Sequence, residues 1–330
     1  MKSFRLVNQY QNEVELLAFG ASIQSLILHD RQGRPLDVVL GYDNVAAYEA
    51  DNRNYFGATV GRIAGRLSGG GFAYNQQRFD LEKNHGPYHL HGGSSAMSHQ
   101  VWTGNYGDKE KRNRVVFSRQ SPAGENGYPG TVATTVIYEW TDENCLRLTI
   151  EATTTETTPL AMTNHAYFNL NGAGNADIQN HYLQIFADHK VGVLPDLGHT
   201  GKLTSVQDSA DDFRDPVTVG SRLAAMHKSH GAMYVTDHQK GLKKNALFWS
   251  ENSGLQLEVW SNQAFIQFYT GEHLSAVNGK SGKVYNAFAG ACFECQGHPD
   301  SPNYPEMGNI FLHPGQSYSN QIEYRFSWLT

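Results

Sequence analysis

The sequence predicts a large all-β protein of antiparallel strands, on three observations. In several segments apolar and polar residues alternate with a period of two, as in a strand with one buried face. The 33 glycines, 17 tyrosines and 16 phenylalanines among 330 residues suit many strands joined by tight turns. Strand and helix patterns do not alternate regularly, which argues against a parallel α/β sheet. Periodicity alone leaves a sandwich and a barrel open as architectures.

A hairpin is the clearest predicted element. Residues 132–140 are β-branched and aromatic, residues 146–152 alternate strictly between apolar and polar, and the turn-forming TDEN of residues 141–144 connects them. Further segments with strand periodicity are residues 255–259, 264–270 and 322–328. Helical periodicity is short, over residues 43–50 and 221–228.

Composition and charge limit the domain organisation and the kinds of molecule that the protein is expected to bind. The chain has no Pro/Ser-rich linker, charge block or clear repeat, so a single domain over residues 1–330 is predicted. A net charge of −6 argues against a nucleic acid or an anionic membrane and fits a neutral small molecule better. The polar residues 8–12 predict no signal peptide, and no apolar run reaches the roughly 18 residues of a membrane span. Three cysteines predict a reducing cytoplasm rather than a disulfide framework.

Glu294 is a carboxylate within the otherwise apolar, strand-like segment ACFECQ of residues 291–296. If the segment is extended, Cys292, Glu294 and Gln296 share one face. A carboxylate on a buried strand is costly unless it is paired or functional, and burial would raise its pKa towards neutrality, as suits a general base. The alternative is a solvent-facing strand position. Cys292 and Cys295 would lie on opposite faces, so neither a disulfide nor a shared metal is expected.

His165 lies in the segment TNHAYFN of residues 163–169. If this segment is extended, Thr163, His165 and Tyr167 form a polar and aromatic row suited to a sugar pocket. A hydrogen-bonded structural histidine is the alternative. The asparagines on either side favour the pocket, because amides recognise sugar hydroxyls well.

His89 and His91 belong to the segment HLHGG of residues 89–93, and their spacing places both imidazoles on one face of a strand. That spacing is compatible with a metal, as in cupin-type oxygenases. Such a site would need a further carboxylate or histidine from elsewhere, and the sequence offers no paired motif. The metal therefore stays an alternative, and no metal is predicted.

Arg62 and Arg66 bracket residues 63–65. They are either surface charges at the end of a strand or guanidinium groups that donate to sugar hydroxyls or hold a carboxylate in place. Asp237 and Gln267 alone are better explained as structural residues.

Taken in order, these segments resemble the aldose 1-epimerase (galactose mutarotase) family, and the likeness covers nearly the whole chain. The matching segments are residues 19–21, 37–42, 55–62, 90–93, 163–169, 267–271, 293–296 and 313–318. The asparagine–histidine and tyrosine–phenylalanine–asparagine pattern of residues 164–169 is the most specific. The resemblance implies a large antiparallel β-sandwich with few short helices, and an enzyme that interconverts the α and β anomers of a hexose without a cofactor.

The resemblance also implies roles for individual residues. In this family a glutamate takes the proton of the anomeric hydroxyl and a histidine protonates the ring oxygen. Glu294 and His165 match those two catalytic residues. His91 is similar to a second histidine that hydrogen-bonds the sugar near the reacting carbon. The remaining sugar-binding positions are matched by Arg66, Asp237 and Gln267.

Two departures from the family pattern leave the preferred sugar open. Gly65 stands where the family usually has an asparagine, so one amide is lost and space is gained. His199 begins a turn whose family form is proline–threonine–glycine. An epimerase acting on a disaccharide or a modified sugar is therefore one alternative, and a non-catalytic carbohydrate-binding protein on the same scaffold is another. The sequence does not indicate an oligomeric state.

Overall fold

The computed structural model describes residues 2–51, 53–107, 110, 112–226, 231–236 and 241–330. In it 45% of the residues are in strands and 8% are helical, which confirms the all-β prediction. Within these ranges the strands form three larger sheets, of nine, six and four strands, and several two-stranded ribbons.

The nine-stranded sheet, called the large sheet below, is antiparallel throughout. The predicted hairpin forms its third and fourth strands, and the predicted strands over 322–328 and 255–259 follow as the fifth and sixth. In spatial order its strands are Thr103–Tyr106, Arg114–Ser121, Val132–Trp140, Cys145–Thr154, Tyr318–Trp328, Leu255–Ser261, Lys243–Trp249, Tyr182–Ile185 and Val217–Thr218.

Two smaller antiparallel sheets complete the architecture. The cleft sheet consists of Tyr167–Phe168, Ala291–Gln296, Phe265–Tyr269, Gly231–Val235, His189–Val193 and His199–Ser205, in that spatial order. The N-terminal sheet consists of Ser3–Val7, Glu13–Leu17, Ser22–His29 and Pro35–Asp37.

Short ribbons and helices connect the sheets. The ribbons pair Thr59–Val60 with Thr163–Asn164, Arg66–Leu67 with His89–Leu90, Gly71–Tyr74 with Gln77–Asp80, Thr158–Pro159 with Phe311–Leu312, and Val277–Asn278 with Val284–Tyr285. The short 3-10 helices are Ser68–Gly70, Met97–His99, Glu125–Gly127, Lys280–Gly282 and Pro305–Met307.

The two predicted helices are present but shorter than expected. The first is Val45–Ala50, whose N-cap Asn44 accepts a hydrogen bond from the Ala47 N–H. The second is Gly220–Leu223, while residues 227–228 of its predicted span lie outside the described residues. Among the described helices, none has the length and apolar character needed to span a membrane.

Both smaller sheets pack on the same face of the large sheet, so of the two architectures left open by the sequence the protein adopts the sandwich and not the barrel. The strand register puts Phe117 and Phe248 on that face. The ring of Phe117 lies 5.4 Å from Phe4 of the N-terminal sheet. The ring of Phe248 lies 5.4 Å from Phe293 of the cleft sheet. These contacts belong to one continuous buried cluster of apolar side chains, so the molecule is a sandwich.

The strand Ala291–Gln296 is buried along its whole length. Because side chains alternate in a strand, Phe293 and Cys295 face the large sheet, and Asn245 of that sheet donates to the Cys295 sulfur at 3.7 Å. Cys292, Glu294 and Gln296 face the other way, as predicted. Cys292 and Cys295 thus lie on opposite faces of the strand, as predicted. All three cysteines of the chain are among the described residues, and none forms a disulfide.

Candidate active site

A cleft of about 740 Å³ lies on the face of the cleft sheet that points away from the large sheet. Five of the six residues predicted to act on the sugar line it. They are Glu294, His165, His91, Arg66 and Gln267. The sixth, Asp237, lies outside the described residues. The fold thus brings together side chains that are up to 228 positions apart in the sequence, from Arg66 to Glu294.

Glu294 occupies the middle of the cleft floor, directly opposite Gln267 on the neighbouring strand. It is only 3% exposed. Burial raises the pKa of its carboxyl to about 8, and the nearby charge of Arg66 opposes that shift. Without a ligand the carboxyl therefore keeps its proton at neutral pH.

His165 lies between two short strands, where its backbone is fixed to the segment before Thr59. Its N–H donates to the Ala58 carbonyl at 2.9 Å, and its carbonyl accepts from the Gly57 N–H at 3.0 Å. The imidazole is buried, and its Nε2 is 3.7 Å from Oε1 of Glu294. Burial lowers the pKa of the ring to about 4, so that the neutral form is favoured.

The side chains of Glu294 and His165, 3.7 Å apart at their nearest atoms, are called the couple below, and one proton can lie on either of them. With the proton on Glu294 both groups are neutral, which burial favours. With the proton on His165 the couple becomes a carboxylate beside an imidazolium, which a polar ligand can stabilise by solvating both charges. The same two side chains can thus accept a proton at one atom and donate one at another.

His91 presents a hydrogen-bond donor to the cleft. The strand before it ends at Leu90, and His91 adopts a left-handed backbone conformation with φ of 52°. Its Nδ1 accepts the Gly65 N–H at 3.1 Å, so the proton of the neutral ring is on Nε2. Burial, reinforced by His165 and Arg66, lowers its pKa well below the usual value. The ring centre is 5.3 Å from that of His165.

The expectation that His89 and His91 share a strand face was wrong, because the left-handed turn at His91 ends the alternation. His89 is fully buried, and its Nδ1 donates to the Glu82 carbonyl at 2.6 Å while its Nε2 accepts from the Tyr128 hydroxyl at 2.7 Å. With both nitrogens engaged, His89 has no lone pair for a metal. It is a structural residue.

A different trio could in principle hold a metal ion, since ligand atoms of His91, His165 and Glu294 lie within 4.8 Å of one another. The donor chemistry of His91 opposes this. Its Nδ1 lone pair is taken by the Gly65 N–H, and a metal at Nε2 would need a proton on Nδ1, facing that same N–H. His91 is better suited to donate to an oxygen of a ligand.

The two arginines of the predicted pair have separate roles. Arg66 lines the cleft, and within the described part of the chain its buried Nε has no hydrogen-bond partner, so the group is available to a ligand. Arg62 is 2% exposed and faces away from the cleft. Its guanidinium donates to the Ser121 hydroxyl and to the carbonyl oxygens of Ser121, Pro122, Pro129 and Gly130. Arg62 therefore anchors loops and does not bind a ligand.

The asparagines beside His165 do not reach the cleft, contrary to the expectation from the sequence. Asn164 donates to the Gly57 carbonyl at 2.7 Å and accepts the Ala166 N–H at 3.1 Å. Asn169 donates to two backbone carbonyls, at 2.6 and 2.8 Å. Both amides hold the irregular backbone that carries His165, because non-repetitive segments must satisfy their polar groups with side chains.

Several lining residues were missed by sequence reasoning. The ring of Tyr55 lies 4.8 Å from that of His91, 5.1 Å from His99 and 5.9 Å from His165. Tyr55 has a φ of 55°, which no periodic pattern reveals. His199 also lines the cleft, and the departure from the family pattern at this position was the one signal for it. Tyr269 and Gln296 lie on strands whose cleft-facing residues were predictable by alternation.

Gly65 adopts a left-handed conformation, with φ of 88°. A Cβ atom built there would lie 3.0 Å from Cγ of Pro299 and 3.3 Å from Nε2 of Gln296. The room left by the missing side chain is therefore already occupied by these neighbours, and nothing in the geometry of Gly65 favours a larger sugar.

Comparison with known proteins fits this geometry. The family model described as aldose 1-epimerase matches residues 2–325. The chain belongs to the aldose 1-epimerase family. It is 39% identical over 324 residues to the galactose mutarotase of Bos taurus, covering 96% of this chain and 92% of the relative. It is 33% identical over 323 residues to the aldose 1-epimerase of Escherichia coli strain K12, covering 95% and 91%.

Solved structures of the family superpose closely. The aldose epimerase homologue from C. elegans matches with a TM-score of 0.92 and 29% identity, over 100% of this chain and 99% of the other. The galactose 1-epimerase from Lactobacillus acidophilus NCFM matches with a TM-score of 0.86 and 25% identity, over 99% and 94%. The β-sandwich expected from the resemblance is confirmed, and the chain is an enzyme that interconverts sugar anomers.

Proposed function

We propose that this aldose 1-epimerase acts on free hexoses, galactose among them, with Glu294 as the base and His165 as the acid. The observation that carries the assignment is the buried couple of Glu294 and His165, whose nearest atoms are 3.7 Å apart on the floor of the cleft. The name of the 39% identical relative supports galactose as a substrate.

In the proposed reaction the pyranose binds with its anomeric hydroxyl at Glu294 and its ring oxygen at His165. The hydroxyl proton passes to the Glu294 carboxylate while Nε2–H of His165 passes to the ring oxygen, and the bond between C1 and the ring oxygen breaks. The products are an open-chain aldehyde, a protonated Glu294 and a neutral His165. Rotation about the C1–C2 bond and the reverse transfers then give the other anomer.

The protonation state of the free enzyme matches one half of this cycle. The pKa of Glu294 is raised to about 8 and that of His165 is lowered to about 4, both by burial, so the neutral couple is favoured. This neutral couple is the form that closes the open chain, because Glu294 then gives its proton to the aldehyde oxygen while His165 accepts one. The ring-opening half needs the ion pair, which the sugar hydroxyls must stabilise.

The remaining lining residues orient the sugar in this proposal. The Nε2–H of His91 donates to an oxygen near C1, and Arg66 and Gln267 hold hydroxyls farther along the ring. Asp237 is proposed as a further sugar-binding residue on the resemblance alone. Because only protons move, the mechanism uses no metal or organic cofactor. We also propose a cytoplasmic location, which the three free, buried cysteines support.

Polarimetry tests the proposal. Freshly dissolved α-galactose and α-glucose should reach anomeric equilibrium much faster with enzyme than without it, and a parallel series with maltose and lactose tests the disaccharide alternative. Binding of galactose without any acceleration would identify a carbohydrate-binding protein instead.

Chelation tests the metal-free mechanism in the same assay. We expect the rate to be unchanged after prolonged dialysis against EDTA. Stoichiometric metal in the purified protein, with activity lost on its removal and restored on its return, would contradict the mechanism.

A further inference from the structure

The mechanism uses one nitrogen of His165 and leaves the other unexplained. Nε2 faces Glu294, whereas Nδ1 lies 3.5 Å from the sulfur of Cys292. Cys292 is fully buried and is on the same face of the cleft strand as Glu294, two residues before it. A thiol in contact with the imidazole of a catalytic couple affects which ring nitrogen holds the proton.

Two groups lie beside Nδ1. One is the Cys292 thiol, whose sulfur accepts a hydrogen bond from a protonated Nδ1 and whose S–H donates to an unprotonated one. The other is the backbone carbonyl of His165 itself, which favours a proton on the ring and so opposes the lowering of its pKa by burial. Burial raises the pKa of the Cys292 thiol well above its usual value, so its sulfur stays neutral and does not pair with the ring as an ion.

We propose that Cys292 is a positioning residue: its sulfur accepts Nδ1–H of His165, so that the lone pair of the neutral ring is on Nε2. The inference rests on the proposed acid role of His165. Nε2 is then the nitrogen that gains and loses a proton, and Nδ1–H stays in place through both halves of the reaction. The proton count of the Glu294–His165 couple is unchanged by this bond.

The arrangement at His91 is a useful comparison. There Nδ1 faces a donor, the Gly65 N–H, which forces the ring proton onto Nε2. The two histidines lie side by side in the cleft, and their Nδ1 atoms meet different partners, a backbone N–H at His91 and a thiol at His165. His91 is thereby fixed as a donor towards the sugar, and His165 is left free to exchange a proton with the ring oxygen and with Glu294.

The tautomer can be measured directly by 15N NMR of histidine-labelled, ligand-free protein, with the His165 signals identified by their absence in His165→Asn. We expect a protonated Nδ1 and an unprotonated Nε2 at pH 7. Cys292→Ala should shift the ring towards the Nε2–H form and lower kcat by roughly 10-fold, as loss of the partner that orients a functional histidine commonly does, with little change in KM. Cys292→Ser, which keeps an acceptor, should retain most of the activity and the tautomer.

Cys295→Ala is the matched control, because Cys295 is equally buried on the opposite face of the same strand. It should leave the His165 tautomer and kcat unchanged. An Nε2–H tautomer in the unmodified protein, an unchanged tautomer in Cys292→Ala, or an equal loss of activity in Cys295→Ala would overturn the inference. Since the NMR readout needs no turnover, a failure of the acid role proposed for His165 would be recognised separately, by full activity of His165→Asn.

Discussion

Glu294 is a carboxyl group whose surroundings keep it protonated in the free enzyme. Burial raises its pKa to about 8, and the opposing charge of Arg66 does not cancel that effect. A carboxylate whose pKa is about 8 holds an abstracted proton firmly, but the carboxyl group must first lose its own proton before it can act as a base. In the proposed mechanism the sugar supplies the hydrogen bonds that make ionisation possible, so sugar binding and activation of the base are coupled.

Glu294→Gln should therefore keep the fold and lower kcat on the order of 10²–10⁴-fold, because an amide of the same shape cannot accept the proton of the anomeric hydroxyl. Polarimetry on the purified variant measures the loss. Glu151→Gln, at an exposed position of the large sheet, is the control and should be fully active. Near-normal turnover in Glu294→Gln would show that another group is the base.

The two cleft histidines should respond differently to the same replacement. His165→Asn should lower kcat strongly with little effect on KM, since it removes the group proposed to protonate the ring oxygen. His91→Asn should raise KM as well as lower kcat, since it removes a donor proposed to bind the sugar in both the ground and the transition state. His189→Asn, at an exposed position, serves as the control. A pure KM effect at His165 would reverse the two assignments.

At the scale of elements, the strand Ala291–Gln296 and the turn after Leu90 illustrate what periodicity can and cannot predict. Alternation in the strand placed Glu294 on a face apart from Phe293, and the structure agrees. The turn contradicts the prediction that His89 and His91 share one face of a strand, because the left-handed conformation at His91 separates the two side chains. Such conformations depend on tertiary partners, here the Gly65 N–H, and have no period in the sequence.

Gly65→Asn tests the glycine whose N–H binds the His91 ring at this turn. The new Cβ would meet Pro299 at 3.0 Å in a strained backbone conformation, and the displaced N–H would weaken its bond to His91. We expect kcat/KM to fall about 5-fold, the equivalent of roughly 1 kcal/mol, for galactose and for maltose alike.

Gly69→Asn is the matched control, because Gly69 also has a positive φ, of 66°, but a Cβ atom at this position would have no neighbouring atom within 4 Å. It should cost some stability and leave kcat/KM unchanged. A selective loss of maltose turnover in Gly65→Asn would instead make residue 65 a determinant of sugar size.

For the molecule as a whole, the raised pKa of Glu294 has a consequence for stability. Its value of about 8 in the fold exceeds the ordinary value of 4.5, so between these values the folded state binds more protons than the unfolded chain. Stability from this group is therefore fully present below about pH 4.5 and is lost as the pH rises towards 8. Glu294→Gln lacks the titrating group.

The melting temperature of Glu294→Gln should thus rise relative to that of the unmodified protein between pH 6.5 and 8, above the window in which His165 contributes. The difference corresponds to a few kcal/mol at most. Thermal unfolding at several pH values in that range measures it. A difference that does not vary with pH would mean that Glu294 is ionised in the free enzyme.

The sandwich and most of the cleft could be anticipated because both depend on alternation and on segments shared with the family. What escaped prediction depends on contacts between distant segments. Tyr55 touches three histidines from a left-handed position, Asn164 and Asn169 turn inward to backbone carbonyls, and His89 is enclosed by Tyr128. Each of these placements is decided by a partner that lies elsewhere in the chain.

The strand Ala291–Gln296 is at once the floor of the cleft and part of the sandwich interior, with Phe293 against Phe248 on one side and Glu294 lining the cleft on the other. Substitutions on this strand that increase stability are therefore expected to affect catalytic activity as well. Larger side chains packed against Phe293 would shift the backbone that carries Glu294, because close-packed interiors transmit such displacements. Variants selected for stability alone should leave this strand untouched and accumulate their changes at the far edges of the large sheet.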